Sequence, residues 1–205
     1  MGKHTQSIDS KILFRIEAAQ PGQVLTPRDF LDLGSRDAVD KALSRHCQAG
    51  TLRKLARGLY DVPRTHPTFG KLAPDTNAVA NALKGRDAIR LQPSGAYAAN
   101  ILGLSEQVPL RLVFLTDGPS RQVKIGNQEI VLKRTIPRNM ATAGRISGTV
   151  IQALRWLGQR HVDDTTIAKL RRSLKPEDKA TLLQDISHAP SWIGAIFHQL
   201  AKASL

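Results

Sequence analysis

The sequence predicts an α+β protein built in two parts. Residues 1–65 contain three helical patterns followed by two strand patterns. Residues 66–205 alternate strand and helix patterns and end in four helices, which is typical of a mixed α/β domain that finishes in a helical bundle. Turn-forming residues indicate a linker where the second part begins, at Pro63, Pro67, Gly70 and Pro74.

Two short helices are predicted before residue 34. Apolar residues on one helical face predict the first over 10–19. The segment Thr26–Asp29 combines a capping hydroxyl, a proline at the first helical position and an acid three residues after the cap. It therefore predicts a second helix over 27–33, which Gly34 ends.

A third helix is predicted over 36–49. Ser35 is its cap and Gly50 its left-handed stop. The inward face contains Val39, Ala42, Leu43 and Cys47. The outward face contains Arg36, Asp37, Asp40, Lys41, Ser44, Arg45 and Gln48. Basic side chains of this face suit guanine edges or phosphates, whereas the two acids are either cytosine acceptors or plain surface residues.

The pattern changes after Gly50 to two short strands around a turn at Ala56–Gly58. Three helices, the last two joined by a tight turn, followed by a hairpin form the winged helix-turn-helix layout. In that layout the third helix enters the major groove and the hairpin tip touches the backbone or the minor groove. Arg57 at this tip is either a minor-groove contact or a solvated charge.

The charge of the chain indicates a polyanionic partner. Lys and Arg number 30 against 17 Asp and Glu, a formal net charge of +13. Single-stranded nucleic acids are usually bound by stacking on exposed aromatic rings, and five Phe, two Trp and two Tyr are few for that purpose. Duplex DNA is therefore the favoured partner.

The candidate site residues divide into two groups. Those expected to contact DNA are Thr26, Arg28, Ser35, Arg36, Lys41, Ser44, Arg45, Arg53, Lys54 and Arg57. Most of the excess charge lies beyond them, because 66–205 carry 19 basic and 10 acidic residues. Its candidate cations are Lys124, Lys133, Arg134, Arg138, Arg171, Arg172 and Lys175. They form either a solvated face or a second surface for nucleic acid or a partner.

The elements predicted for the second part are mostly short. Helices are expected over 75–84 and 94–102, and strands over 88–91 and 110–115. A hairpin over 122–132 turns at Gly126-Asn127. The closing helices are predicted over 144–158, 164–174, 176–187 and 190–203.

Several other classes of protein are not expected. No apolar run is long enough to span a membrane, and the start of the chain lacks the apolar core of a signal peptide. The lone Cys47 cannot form an intramolecular disulfide, which is typical of the cytoplasm. The six His have no metal-ligand spacing, and Asp163 and Asp164 precede a helix as caps do. We expect a cytoplasmic protein without enzymatic activity, cofactor or metal.

Three segments resemble the N-terminal winged helix of AbiEi-type antitoxins. They are Leu25–Phe30, the turn Gly34–Arg36 and, most specifically, the stretch Ala49–Tyr60 with its regular Gly, Leu and Tyr. This family belongs to type IV toxin–antitoxin systems and is linked to bacterial abortive infection. The order of elements in the remaining chain is similar to the second domain of that family.

The resemblance implies a transcriptional repressor of its own operon that binds inverted repeats through the winged helix. It also implies an antitoxin whose second domain acts against a nucleotidyltransferase-like toxin, without requiring a stable complex with it. Two other functions fit the residues. One is a winged-helix transcriptional regulator without a toxin partner, and the other is an RNA-binding protein that uses the basic second part.

Overall fold

The computed structural model describes residues 7–202 and divides into two compact units. Unit 1 extends to Ala88 and includes Lys124–Gly126, and unit 2 contains Ile89–Val123 and the chain from Asn127 onward. The predicted boundary was at residue 65, so 66–88 join the first unit instead of the second. The start of the chain at 1–6, and the predicted helix end at 203, lie outside the described residues.

The helices of unit 1 match the predicted pattern at two of three positions. Helices α1 (Ile8–Glu17) and α2 (Arg36–Gln48) are present, and Ser35 caps α2 by accepting from the backbone N–H of Ala38. The predicted helix over 27–33 is only a 3-10 helix, Pro27–Phe30. Its backbone bonds span three residues because the segment between two caps is too short to propagate an α-helix.

A three-stranded antiparallel sheet completes the N-terminal fold. Its strands are β1 (Val24–Leu25), β2 (Arg53–Ala56) and β3 (Leu59–Asp61), in the order β1-β3-β2. The predicted hairpin is confirmed, and its turn residue Gly58 has φ of +67°, a backbone conformation that favours glycine.

The core of unit 1 lies between these helices and the sheet. The buried side chains that α1, the 3-10 helix and α2 contribute to it include Ile12, Ile16, Phe30, Val39 and Leu43. His46 is also buried, whereas Cys47, predicted to face inward, is only half-buried.

The predicted linker is an ordered second hairpin followed by a helix. Strands β4 (Thr65–His66) and β5 (Gly70–Lys71) pair antiparallel, and His66 Nδ1 accepts from the N–H groups of Thr68 and Phe69. Helix α3 (Thr76–Asp87) then packs near β1, which explains why this segment belongs to unit 1.

Unit 2 begins with a four-stranded mixed sheet. Strands β6 (Leu91–Pro93), β7 (Arg111–Thr116), β8 (Arg121–Ile125) and β9 (Gln128–Arg134) lie in the order β6-β7-β9-β8. Strand β7 is antiparallel to β6 and parallel to β9. The predicted strand over 110–115 and the hairpin with Gly126 at its turn are confirmed, whereas β6 begins three residues later than predicted.

Helices form the rest of unit 2. They are α4 (Gly95–Ile101), α5 (Ile146–Leu157), α6 (Asp164–Ser173), α7 (Pro176–Gln184) and α8 (Ser191–Ala201). The four closing helices are as predicted to within a few residues. Trp156 near the end of α5 is 49% exposed. None of the described helices combines the length and the apolar character needed to cross a membrane.

Candidate nucleic-acid interface

One face of α2 is free of the unit 1 core. Val39, Ala42, Leu43 and His46 point into the core. At 3.6 residues per turn, the line opposite them is occupied by Asp37, Lys41, Ser44 and Gln48, all of them exposed. We call these four residues the α2 stripe. Two of them, Lys41 and Ser44, were predicted site residues. Asp37 was predicted to be either a cytosine acceptor or a surface residue, and Gln48 only to face outward.

The predicted contacts Arg36 and Arg45 flank this stripe instead of lying on it. Arg36 Nε donates to Asp40 at 2.9 Å, and Arg45 Nη2 donates to Asp9 of α1 at 2.7 Å. Both side chains stay about 60% exposed, at 60% and 61%. Exposed ion pairs contribute little stability, so a phosphate can replace either carboxylate at small cost.

The start of α2 adds a second kind of anion contact. Ser35 is exposed and caps the helix, so unpaired N–H groups of the first turn lie next to it. Their partial positive charge suits a phosphate beside Arg36.

The β2–β3 hairpin carries Lys54 and Arg57, whose side chains are both exposed. Arg57 lies at the turn beside Gly58, as predicted. Its carbonyl oxygen accepts a hydrogen bond from Arg86 Nη1 at 3.1 Å, so a residue of α3 reaches the tip of this hairpin.

Three predicted DNA contacts form hydrogen bonds within unit 1. Thr26 is buried, and its hydroxyl and N–H both donate to Asp29. Arg28 is exposed, but its Nη1 donates to the carbonyls of Gly85 and Arg86 at the end of α3, each at 3.3 Å.

The third such residue, Arg53, forms an internal ion pair. Its Nη2 and Nε donate to the two carboxylate oxygens of Asp61 at 2.6 and 3.0 Å, and its Nη1 donates to the carbonyl of Leu72 at 2.9 Å. Asp61 is only 1% exposed, and the hydrogen bonds that its carboxylate accepts from Arg53 raise the pKa of Arg53. Arg53 therefore neutralises a buried acid.

Arg86 is the residue of this region that sequence reasoning missed. It lies beyond the predicted end of its helix at 84, and no local pattern connects it with a hairpin 29 residues earlier. Burial lowers the pKa of Arg86, and the nearby positive charge of Arg36 lowers it further.

The predicted cations of the second part are all exposed but occupy several elements. Lys124 lies on β8, Lys133 and Arg134 on β9, Arg138 on a 3-10 helix, Arg171 and Arg172 on the last turn of α6, and Lys175 at the start of α7. Neighbouring residues of a strand point to opposite faces, so Lys133 and Arg134 cannot both lie flat on one partner. Lys133 lines a groove of about 440 Å³ that also contains Arg121 and Gln122.

Other candidate chemical groups have structural surroundings. Asp163 caps α6 by accepting from the N–H and hydroxyl of Thr166, which lowers the pKa of Asp163. Burial raises the pKa of the Cys47 thiol. In the part of the chain that the structure describes, no three His, Cys, Asp or Glu side chains come together as metal ligands.

Comparison with known proteins gives a family and a similar solved structure. Residues 11–182 match the model of a family described as a family of unknown function, DUF6088. The crystal structure of the Rv2827c protein from Mycobacterium tuberculosis is similar to this chain, with 15% sequence identity and a TM-score of 0.47. The similarity covers 95% of this chain and 76% of that one. No curated protein matches the chain.

Proposed function

We propose that this chain, which belongs to the DUF6088 family of unknown function, binds duplex DNA through unit 1 as a winged helix-turn-helix. The order of its elements supports the proposal. Helix α1, β1, the 3-10 helix, α2, β2 and β3 follow one another, and the sheet order is β1-β3-β2. In such an arrangement α2 reads the major groove and the β2–β3 hairpin is the wing.

The observation that carries the proposal is the α2 stripe. A helix fits the major groove of B-DNA only if one whole face is uncovered and polar. The stripe offers Gln48 for adenine, Lys41 for guanine and Ser44 for any of several base edges. These three side chains project from one side of one rigid helix, as base reading requires.

Phosphate contacts would surround the stripe. Arg36 and Arg45 flank it, and the start of α2 at Ser35 adds N–H groups. Lys54 and Arg57 on the wing extend the positive surface along the duplex. These contacts fix the position of α2 on DNA but carry no base preference themselves.

Asp37 gives the stripe an additional, selective property. It is exposed near the start of α2, where reading helices contact base edges. A carboxylate repels phosphate but accepts a hydrogen bond from cytosine N4. We infer that Asp37 favours cytosine at one position of the site and weakens binding to unrelated DNA.

A DNA-binding role agrees with repression of the chain's own operon, which the resemblance to AbiEi-type antitoxins implies. Two copies would then occupy an inverted repeat in the bacterial cytoplasm, without catalysis or a cofactor. The same resemblance implies that the chain counteracts a nucleotidyltransferase-like toxin. That part of the proposal rests on the resemblance and not on the geometry of unit 1.

The DNA-binding part is tested by replacing Lys41 and Gln48 with alanine together. Two lost base contacts, at about 1–3 kcal/mol each, weaken binding to the chain's own upstream DNA by at least about 30-fold in fluorescence anisotropy. Lys11→Ala plus Gln20→Ala is a matched control, since these exposed residues lie on or after α1. Equal affinity of the two double variants would contradict the role of the stripe.

The antitoxin part is tested by co-expression. If the reading frame next to this gene encodes a nucleotidyltransferase-like protein, its expression alone arrests growth, and co-expression of this chain restores growth. Arrest that continues in the presence of this chain would favour the transcriptional regulator without a toxin partner.

A further inference from the structure

We propose that Arg86 of α3 belongs to the DNA surface, where it fixes the wing tip and binds one DNA phosphate together with Arg57. The proposal rests on the proposed DNA binding by unit 1. It adds to the winged helix-turn-helix a residue from a helix outside that motif, and it names the ligand as one phosphodiester group of the backbone.

The first step is the position of the guanidinium group. Arg86 Nη1 donates to the carbonyl of Arg57 at 3.1 Å, across the turn of the wing. A Cβ atom added at Gly58 would lie 3.7 Å from Arg86 Nη1 and 3.9 Å from Pro27 Cδ. The guanidinium group therefore lies directly against the wing tip, at the end of the sheet where the 3-10 helix begins.

The second step is how this position is maintained. Arg86 Nε and Nη2 donate to the carboxylate of Asp87 at 3.0 and 3.3 Å, which orients the guanidinium plane. In the opposite direction, Arg28 Nη1 donates to the carbonyls of Gly85 and Arg86. Two arginines thus connect the end of α3 with the start of the 3-10 helix and with the wing, and the turn is held from outside its own hairpin.

The third step is the charge that remains. Asp87 balances one cation, and Asp40 balances Arg36. Arg57 is exposed at the wing tip, and the pKa of Arg86 is lowered first by burial and then by the positive charge of Arg36. A phosphate near these guanidinium groups would relieve that repulsion, and arginine's planar group of donors suits its oxygens.

Arg64 forms a hydrogen bond of the same type as Arg86, but at the end of the β1-β3-β2 sheet opposite the wing tip. Arg64 Nη2 donates to the carbonyl of Ala73 at 3.1 Å and braces the second hairpin. A Cβ at Gly22 would touch the side chain of Arg64, so this arginine lies by the turn before β1 and away from the wing tip. Arg64→Gln removes the same type of bond without changing the proposed phosphate site.

The experiment measures affinity for upstream DNA against salt concentration, with the full chain. Arg86→Gln lowers the slope of log K against log salt by about 0.9 or more and weakens binding about fivefold at 0.15 M salt. It also removes the hydroxyl-radical protection at the minor groove that the wing covers. Arg64→Gln keeps the wild-type slope and footprint.

Arg86→Lys is the second variant, because it keeps the charge while offering fewer donors. The slope stays at the wild-type value, and the wing footprint weakens. If Arg86→Gln and Arg86→Lys both retain the wild-type slope and footprint, the inference is wrong while DNA binding by α2 stands. If the wild-type chain binds no duplex at all, the proposed function fails first, and this inference fails with it.

Discussion

Units 1 and 2 each contain a central helix, and the two helices differ in how they are covered. In unit 2, every residue of α5 from Ser147 to Leu154 is buried, because other helices and the sheet surround it. In unit 1, α2 is covered on one face only and exposes the α2 stripe. A helix buried on all sides can only support the fold, whereas one with a free polar face can enter a groove.

The distribution of charge differs in the same way. The second part of the chain has the larger net charge, yet its predicted cations occupy separate strands and helix ends. The smaller charge of the first part is arranged around one helix and one hairpin. Net charge therefore indicates a class of partner for the whole chain, while the uncovered helix face is the reason why we propose DNA binding for unit 1.

The largest expected effect is the loss of stability when a buried acid loses its arginine partner. Each unit contains such a pair, so the two losses can be compared. Arg53→Ala leaves Asp61 without its cation and lowers the free energy of unfolding by about 3–5 kcal/mol. Arg145→Ala costs less, about 1–3 kcal/mol, because Asp185 keeps a hydrogen bond from the Ser147 hydroxyl. Urea denaturation measures both. A smaller loss for Arg53→Ala than for Arg145→Ala would break this comparison.

The second-largest expected effect is the loss of DNA affinity when the two arginines that flank the α2 stripe are removed. Arg36→Ala plus Arg45→Ala removes two phosphate contacts, so affinity falls about 30-fold at 0.15 M salt and the salt slope falls by about 1.8. The loss is equal for the upstream DNA and for a scrambled duplex, because phosphate contacts are independent of sequence. Salt-titrated anisotropy with both duplexes checks this. Unchanged affinity would mean that α2 does not face DNA.

The corresponding double substitution in unit 2 is expected to lower the salt slope by less. Lys133→Ala plus Arg134→Ala lowers the salt slope by about 0.9 and not by about 1.8, since alternation along β9 lets only one of them face a duplex. Base preference stays the same. An unchanged slope would assign both side chains to solvent, and a shift in base preference would show that unit 2 also reads sequence.

The smallest effect concerns Cys47 of α2. Burial raises the pKa of its thiol, which lowers the fraction of reactive thiolate at neutral pH. A thiol reagent should therefore modify Cys47 slowly in the folded protein, and more quickly as the pH rises or after denaturation. DNA affinity should be unchanged after brief treatment. Mass spectrometry measures the rate of modification. Fast modification at neutral pH would show that Cys47 lies on the exposed side of α2.

The elements that are predicted well from the sequence are those defined by local signals. Ser35 and Gly50 define α2, and Gly58 defines the turn of the wing, because caps and left-handed turns depend on neighbouring residues alone. The pairing of Arg53 with Asp61 is also predictable from the sequence. The two residues face each other across the predicted hairpin, and checking the register would have identified them as partners.

Contacts between distant segments were beyond local patterns. The bond between Arg86 and Arg57 depends on how α3 packs, and nothing near Arg86 in sequence indicates it. The second hairpin has strands of two residues, too short for a visible alternation, so its Pro and Gly residues suggested a linker. The bond between Arg45 and Asp9 of α1 likewise joins residues that are 36 positions apart in the sequence.

The most direct test of DNA reading by α2 is selection from a library of random duplexes with the full chain. The account predicts that the wild-type chain enriches an inverted repeat whose half-sites contain a preferred cytosine. Asp37→Asn should lose that cytosine preference, and Lys41→Ala plus Gln48→Ala should enrich no motif. Enrichment of the same motif by all three proteins would contradict the claim that α2 reads DNA.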